Sequence, residues 1–561
     1  MGVDINDLKE IIKKYAAANA LKHGGKPDPI AVIGKLVAER PEIKPKVKEI
    51  LPIVREICEE VSTLPQEELE RLAGEIEEKR KEQFGLPPLE GAEEGKVVTR
   101  FAPNPNSVLH LGSSRAAILS HEYARIYKGK FILRFEDTDP RLKRSDLKFY
   151  KFIEEDLKWL GISWDEEYYQ SERLEIYYEY VERAIKLGAA YVTECNSETF
   201  KKYVLSSKPC PDRDLPEEVH LKRWQKMLSG EYKEGQAVVR VKTDLSHPNP
   251  AVRDWPALRI IDPEKYSHPI VGSKYRVWPL YNWASAIDDH LMNITHIIRG
   301  KEHYVNMVRQ KYLYSAFGWT YPHAVHYGRL MIERVPLSKS EIEKGIKSGI
   351  YTGYDDVRLA TLQALRRRGI TAEAIKQLIL SMGINSNDAT ISLENLYAIN
   401  RKLIDPIANR YFATFEPLVS VKLKGLALPV EVQLKKHPNK QEFRKIALND
   451  PCAYIEKEDY EKIKGSKARL MGLGNFKIES YEGTFVDNDL KRAKSLPHIH
   501  WLPCSTQFRV ELLYEDGSYI RGFVESELKD EVGKVVQFER KFFAKIESSE
   551  NGLVKAVYTS K

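Results

Sequence analysis

Val97-Val98-Thr99-Arg100-Phe101-Ala102-Pro103-Asn104-Pro105-Asn106-Ser107-Val108-Leu109-His110-Leu111-Gly112-Ser113-Ser114-Arg115 is the stretch on which the fold turns. It opens with the β-branched run of a buried strand, crosses a turn holding Pro103 and Pro105, and gives way to a helical pattern over Ser114–Tyr127. Phe131–Phe135 is strand-like again. Strand, turn, helix, strand is how a parallel α/β sheet begins. In such sheets ligands bind at the carboxyl ends of the strands. A helix starting there offers free N–H groups and the positive end of its dipole, which suit phosphate. His110 can donate to a phosphoryl oxygen, and Gly112 lets a flat base approach the backbone with no Cβ in the way. A lone His-x-Gly is far more often a solvated strand–helix turn, so the stretch needs a second element to carry a function.

Outward from it the chain changes character on both sides. Residues 1 to 85 read as helical: Ile5, Leu8, Ile11, Ile12, Tyr15, Ala16 and Ala18 keep the spacing of an apolar stripe. Asp4 or Asn6 can cap that helix and Gly24-Gly25 can end it. A second helix is expected over Val47–Val61 and a charged third from Pro65 to Gln83, before a Pro- and Gly-rich linker over residues 85–95. Helices and strands alternate to residue 330, with a polar, Pro-rich interruption over 195–270. From residue 410 the period becomes two. Phe508, Val510 and Leu512 alternate, Glu515-Asp516-Gly517-Ser518 turns, and Ile520, Gly522 and Val524 continue; Asn551-Gly552 offers a second hairpin turn.

Length and composition set outer limits. A chain of 561 residues is too long for one core and predicts roughly three to five domains. Apolar residues at 42% and charged residues at 30% are ordinary for a globular protein. No stretch approaches a membrane helix, and the acidic first residues predict no signal peptide. A net charge of +7 permits a nucleic-acid partner without requiring one. Five scattered cysteines, Cys58, Cys195, Cys210, Cys452 and Cys504, argue against a disulfide framework and for a reducing cytoplasm.

The second element is Val335-Pro336-Leu337-Ser338-Lys339-Ser340, where a Lys between two hydroxyls can meet charge developing on ATP phosphates. Together, in this order and flanking an α/β segment of this length, the two elements resemble the HIGH and KMSKS signatures of class I aminoacyl-tRNA synthetases. The fuller text resembles the glutamyl/glutaminyl branch: Arg100-Phe-Ala-Pro-Asn-Pro, His110-Leu-Gly-Ser-Ser-Arg, Leu133-Arg134-Phe135-Glu136-Asp137-Thr138-Asp139, and Tyr281-Asn-Trp-Ala-Ser285-Ala-Ile-Asp288-Asp289-His290. The match is close over residues 96–345. The helical start with Gly24-Gly-Lys and the β-rich end resemble the archaeal glutamyl members. Two positions depart from the signatures. Ser113 stands for the second His of HIGH, and Pro336 for the first Lys of KMSKS, so Lys339 acts alone or with a helper such as Arg141 or Lys143.

The resemblance implies a multidomain α/β protein: a Rossmann-like parallel-sheet catalytic domain, a helical N-terminal region and C-terminal all-β barrels. The expected division is 1–92 helical; 93–195 and 271–335 the two catalytic halves; 196–270 an insertion binding the acceptor stem; 336–408 a helical stem-contact region with the KMSKS-like loop; and 409–561 anticodon-binding β-barrels. It implies an ATP site of His110, Gly112, Ser113, Leu330, Met331, Ser338, Lys339 and Ser340. Among these, His110, Gly112 and Lys339 act in catalysis, with Mg²⁺ on the phosphates. It implies a glutamate pocket of Arg100, Ala102, Asn104, Glu136, Tyr281, Ser285 and Arg299. Glu136 faces the substrate ammonium and Arg100 offers a planar fork to a carboxylate. Arg299 decides between amino acids: glutamyl enzymes resemble this chain in having an Arg for the acidic side chain, and a buried Arg facing an amide is left partly unpaired. The bland reading makes Arg299 a surface residue or a partner of Asp288 or Asp289.

In the interruption, Arg253 and Arg259 can touch tRNA phosphates and Trp255 can stack on a base. The alternative is that Trp255 is core and Arg253 pairs with Asp254. Tyr191–Cys195 and Lys208–Asp212 resemble a place where some relatives have paired Cys/His ligands. Only one Cys of each pair is present, with Glu194, Asp212 or His220 as hard substitutes, and no zinc or other metal is expected. The expected partners are glutamate and tRNA(Glu), with tRNA(Gln) open as a second substrate. No membrane or DNA partner, a monomer and a cytoplasmic location are also expected. The rival readings are a glutaminyl-tRNA synthetase, a non-catalytic tRNA-binding protein derived from a synthetase, and a nucleotidyltransferase acting on a small cofactor.

Overall fold

A computed structural model of the protein describes residues 5–22, 26–39, 43, 47–69, 71–73, 86–333, 335 and 338–561. The chain divides into two compact units, Met1–Pro87 and Pro88–Lys561.

The first unit is helical. Ile5–Lys22, Pro29–Glu39 and Val47–Ser62 enclose a core that includes Leu8, Ile12, Val32, Leu36, Val54 and Val61. The first and last follow the predicted spacing. The middle helix was not expected. Pro29 reads as a breaker, yet at a first helical position its missing N–H is no loss, and Asp28 Oδ1 accepts from Ile30 N at 2.9 Å to cap the turn. The predicted stops at Gly24-Gly25 and the cap at Asp4 lie outside the described residues. So does the predicted third stretch beyond Ala73; before it, Gln66–Leu69 and Arg71–Ala73 are helical.

The second unit begins with the predicted parallel sheet. Val98–Phe101, Lys130–Phe135 and Glu166–Tyr169 pair in parallel, the Lys130 strand in the middle. His296–Gly300 pairs in parallel with His323–Tyr327. Thr295 stitches that pair to the first strand: its N–H donates to Val98 O at 3.0 Å and its Oγ1 accepts from Val98 N at 2.8 Å. Phe131, Ile132, Leu133 and Phe135 are buried, as befits a strand covered on both faces. The helix Leu111–Ile126 follows the first strand and starts at its carboxyl end. The interruption forms a four-stranded antiparallel sheet of Ala190–Thr193, Val238–Val241, Pro256–Ile260 and Val277–Pro279. Trp224, Trp255 and Trp278 fill its core.

Beyond residue 408 the chain is mostly β, in two seven-stranded sheets and a two-stranded ribbon. Both predicted hairpins form. Arg509–Leu513 pairs antiparallel with Tyr519–Val524. Glu550 faces Leu553 across Asn551-Gly552, whose φ values of 50° and 75° suit the turn that matches strand twist. One expectation is corrected: Cys452 and Cys504 form a disulfide across 52 residues. The strand Cys452–Glu456 pairs antiparallel with Leu502–Pro503, which brings the two Cα atoms to 5.4 Å, within disulfide range. Cys58, Cys195 and Cys210 are free thiols. Among the described residues, no helix is long and apolar enough to cross a membrane.

Candidate active site

His110 is the N-cap of the helix Leu111–Ile126. Its Nδ1 accepts from Ser113 N at 3.2 Å, while Ser113 Oγ accepts from His110 N at 2.9 Å. Ser113, at the departure from the HIGH text, is therefore the reciprocal half of a capping box. Burial pushes the His110 imidazole down to about 4, so the ring is neutral. With Nδ1 accepting, the ring proton sits on Nε2, which is left to donate.

His110 opens on a cavity of about 620 Å³ at the carboxyl ends of the parallel strands, lined by residues from the first strand, the Leu111 helix, Glu136, Tyr281, the His296 strand and Leu330-Met331. Of the predicted residues, Arg100, Ala102, His110, Gly112, Ser113, Glu136, Tyr281, Arg299, Leu330 and Met331 line it. Glu302, His303, Tyr327 and Arg329 also line it and were missed. His303 and Glu302 stand close to Arg299 in the sequence but carry no spacing signal of their own.

Two predicted pocket residues stand behind the wall instead. Asn104 Nδ2 donates to Glu136 O at 2.7 Å and so holds the backbone that presents Glu136. Ser285 is fully buried and accepts from Arg134 Nη2 at 3.4 Å. The floor is a charge chain. Arg100 and Arg134 both donate to Asp289, at 3.0 and 2.8 Å, and Arg134 also pairs with Glu136 at 3.1 Å. Burial pushes the Glu136 carboxyl up, while Arg134 and Arg100 pull it down. Arg134 has no role in the sequence reading and Asp289 only that of an alternative partner for Arg299; both stand in quoted motifs, but their pairing spans 155 residues.

Arg299 is 5% exposed. Its donors reach His326 Nε2 (3.4 Å), Tyr281 Oη (3.2 Å), Gln310 Oε1 (3.3 Å) and Tyr321 Oη (3.1 Å). His326 is held neutral by burial, its pKa pushed down to about 4. Among the described residues no carboxylate pairs with Arg299, neither Asp288 nor Asp289. Burial disfavours the Arg299 charge, and Tyr281, Tyr321 and the more distant charge of Asp289 offset it; none of its direct contacts is an ion pair, which leaves its donors open to a stronger, anionic acceptor.

Ser338, Lys339 and Ser340 begin the helix Lys339–Lys347 and are not among the lining residues. Ser338 Oγ and Ser340 Oγ lie 2.9 Å apart, and Lys339 Nζ lies 3.5 Å from Glu343 Oε1. Pro336 and Leu337 lie outside the described residues. The chain beyond this helix is nonetheless tied to the His110 turn: Leu111 N donates to Ala360 O and Leu362 N to Leu109 O, each at 3.0 Å. Burial lowers the pKa of both Lys339 and the pocket-lining His303, and the charge of Lys143 adds a smaller push to each. Arg141 pairs instead with Glu234.

In the insertion, Trp255 and Arg253 are drawn into the fold. Trp255 is 1% exposed and belongs to the core, so no base can stack on it. Arg253 is buried, with Nε donating to His247 O and Nη1 to Val204 O, both at 2.7 Å; it does not pair with Asp254, which Arg213 holds at 2.9 Å. Arg259 Nη2 pairs with Asp139 at 2.9 Å, which ties the insertion to the Glu136–Asp139 segment. Cys195, Cys210 and Asp212 bring ligand atoms within 4.8 Å of one another. Asp212 there already accepts from Arg223 and Thr193, and burial pushes the Cys195 thiol up to about 11. Glu194 pairs with Arg223 and Tyr232, and His220 Nδ1 accepts from Val192 N.

Residues 96–406 match the catalytic domain of the class I tRNA synthetases (E and Q), and residues 408–493 match the anti-codon binding domain of the same group. The chain is 50% identical to the glutamate–tRNA ligase of Pyrococcus abyssi over 574 residues, covering 99% of this chain and 100% of that protein. It is likewise 50% identical to that of Thermococcus onnurineus, with the same coverage. Among solved structures it is similar to a glutamate tRNA ligase from Elizabethkingia meningosepticum in complex with its amino acid, with a TM-score of 0.39 and 23% identity over 56% of this chain and 70% of that one. The capped His110 turn, the cavity beside it and the family match over residues 96–406 agree: the chain belongs to the class I tRNA synthetases of the glutamate and glutamine branch.

Proposed function

We propose that the protein activates glutamate with ATP and attaches it to the 3′ end of tRNA(Glu). The observation that carries this reading is Arg299, a buried guanidinium with neutral contacts only, opening on the same cavity as the capped His110. An acidic side chain supplies the missing anion. A neutral amide supplies no such anion.

The substrate α-carboxylate attacks the α-phosphorus of ATP and pyrophosphate leaves. The tRNA 2′-hydroxyl then attacks the adenylate. No protein nucleophile is required; positioning and charge stabilisation do the work. His110 Nε2–H donates to a phosphoryl oxygen. Gly112, Leu330 and Met331 give the adenine a flat seat. Lys339, with Lys143 in electrostatic reach of the same region, faces the outer phosphates. Arg100 uses two donors on Asp289 and keeps the rest for a substrate carboxylate. Glu136 takes the ammonium. The carboxylates of the cavity are already engaged, Glu136 with Arg134 and Glu302 with Arg329, so Mg²⁺ fits as a companion of the triphosphate rather than in a protein cage. When bound it neutralises phosphate charge.

The tRNA is read by the region from residue 409 onward, and the acceptor end by the 196–270 insertion through residues other than Trp255 and Arg253. A reaction drawing on ATP, glutamate and tRNA belongs in the cytoplasm. Charging of separate glutamate and glutamine tRNA transcripts with labelled amino acids tests the proposal. Glutamate on tRNA(Glu) is expected; glutamine as the accepted amino acid, or no charging at all, overturns it. Glutamate on tRNA(Gln) as well would widen the tRNA specificity without moving the amino-acid assignment.

A further inference from the structure

Asp289 lies on the helix Tyr281–Leu291, is 1% exposed, and stands behind the cavity wall rather than in it. Its Oδ1 accepts from Arg100 Nε at 3.0 Å and from Arg134 Nη1 at 2.8 Å, and its Oδ2 accepts from Arg100 Nη2 at 3.3 Å. Arg134 then reaches Glu136 Oε1 at 3.1 Å. The order is Arg100, Asp289, Arg134, Glu136, alternating in sign, and its two ends are the groups that open on the cavity. The neighbouring Asp288 is equally buried but turns away, accepting from Gln170 at 3.0 Å, Arg173 at 2.9 Å and Tyr177 at 2.7 Å.

Without the carboxylate of Asp289, two buried guanidiniums would repel one another and compete for Glu136, the nearest remaining anion. Glu136 would then be closed by Arg100 instead of open to an ammonium. Arg100 would in turn lose the edge it shows to a carboxylate.

We propose that Asp289 is a positioning residue for the amino-acid pocket: it draws Arg100 back and Arg134 aside, so that Glu136 keeps an oxygen for the substrate ammonium and Arg100 keeps its outer edge for a substrate carboxylate. This rests on the glutamate-activating reading and adds a charge rule to it. The floor holds three guanidiniums, Arg100, Arg134 and Arg299, against two carboxylates, Glu136 and Asp289, which leaves one positive charge. The histidines on the cavity do not enter the count, because burial pushes His110 down to about 4 and His303 to about 3. Glu302 and Arg329 cancel at the rim, 3.7 Å apart. Free glutamate carries one net negative charge, and glutamine carries none.

The test is pyrophosphate exchange with tRNA present, on the full chain, for wild type, Asp289→Asn and Asp288→Asn. Asp289→Asn is expected to raise the glutamate KM roughly 30- to 100-fold, the loss of one or two charge-assisted bonds, with the ATP KM within about twofold. Asp288→Asn removes an equally buried carboxylate, so a merely structural role predicts the same kinetics from both; the positioning role predicts a near-normal glutamate KM for Asp288→Asn. An unchanged glutamate KM in Asp289→Asn, or parallel rises for glutamate and ATP, overturns the proposal. Should Asp289→Asn not fold, Asp289→Glu keeps the charge and displaces it by one methylene; a glutamate-selective rise of roughly tenfold is expected, and an unchanged KM overturns the proposal. Failure of the wild type to exchange with glutamate would instead sink the underlying functional reading.

Discussion

In the pocket floor, Arg299 meets two hydroxyls, an amide and a ring nitrogen at 3.1 to 3.4 Å. In the insertion, Arg253 donates to two backbone carbonyls at 2.7 Å. Both are almost out of water, at 5% and 9% exposure, and Arg299 opens on the cavity that His110 lines. Three further arginines of the insertion are likewise paired within the protein: Arg213 with Asp254, Arg223 with Asp212, and Arg259 with Asp139. These arginines hold the fold, whereas the pocket floor keeps one cation over.

The largest effect that would sharpen this contrast is at Glu136. Replacing it by Gln should lower kcat/KM for glutamate roughly 10²- to 10³-fold, since a buried charge loses its partner. Because burial raises the Glu136 pKa and the carboxylate form is needed, the wild-type glutamate KM should rise as pH falls through that raised value; Glu136→Gln should lose this acid limb. Pyrophosphate exchange across a pH series reads both. Next, His110→Asn keeps a capping side chain but not the reach of Nε2, so kcat should fall by roughly 10² while the melting temperature holds. A matching loss of stability would mean that His110 only caps its helix.

Asp156 is the inverse case, a fully buried carboxylate on the helix Leu147–Trp159 with no hydrogen-bond partner for either oxygen among the described residues. Burial pushes its pKa from 3.8 to about 7. A raised carboxyl binds its proton more tightly in the folded state, so its contribution is full below the unfolded value and is lost as pH rises through 7. Asp156→Asn should therefore stabilise the protein by about 2–4 kcal/mol at pH 8 and by little at pH 4, as denaturant unfolding can show. The smallest effect is at Arg253. Arg253→Met should cost about 1–3 kcal/mol of stability, from two carbonyls left without a donor, and leave the tRNA KM in aminoacylation within about twofold. A raised tRNA KM with stability intact would put Arg253 back among the phosphate contacts and break the contrast between the regions.

How much of this was legible in the sequence depends on distance along the chain. The Val98 strand, the helix after His110 and the Asn551-Gly552 turn are local, set by periodicity, capping and positive φ, and they were readable. Pro29–Glu39 is local too, but a Pro stands as readily at a break as at a first helical position, so Pro29 alone does not announce a helix. Asp289 could not be read as the partner of Arg100 and Arg134, because those pairs span 189 and 155 residues. The Cys452–Cys504 bond depends on strand pairing across 52 residues, which cysteine counting does not see. The apolar and planar character of Trp255 and Arg253 that suits stacking or phosphate also suits a core. Only burial separates the two roles.

Arg299→Ala, assayed by initial-rate pyrophosphate exchange with glutamate and ATP varied in turn, tests the central claim most directly. A glutamate KM raised roughly a thousandfold, as for a buried ion pair losing one partner, with the ATP KM nearly unchanged, is the expected result. A glutamate KM equal to that of the wild type would contradict the account.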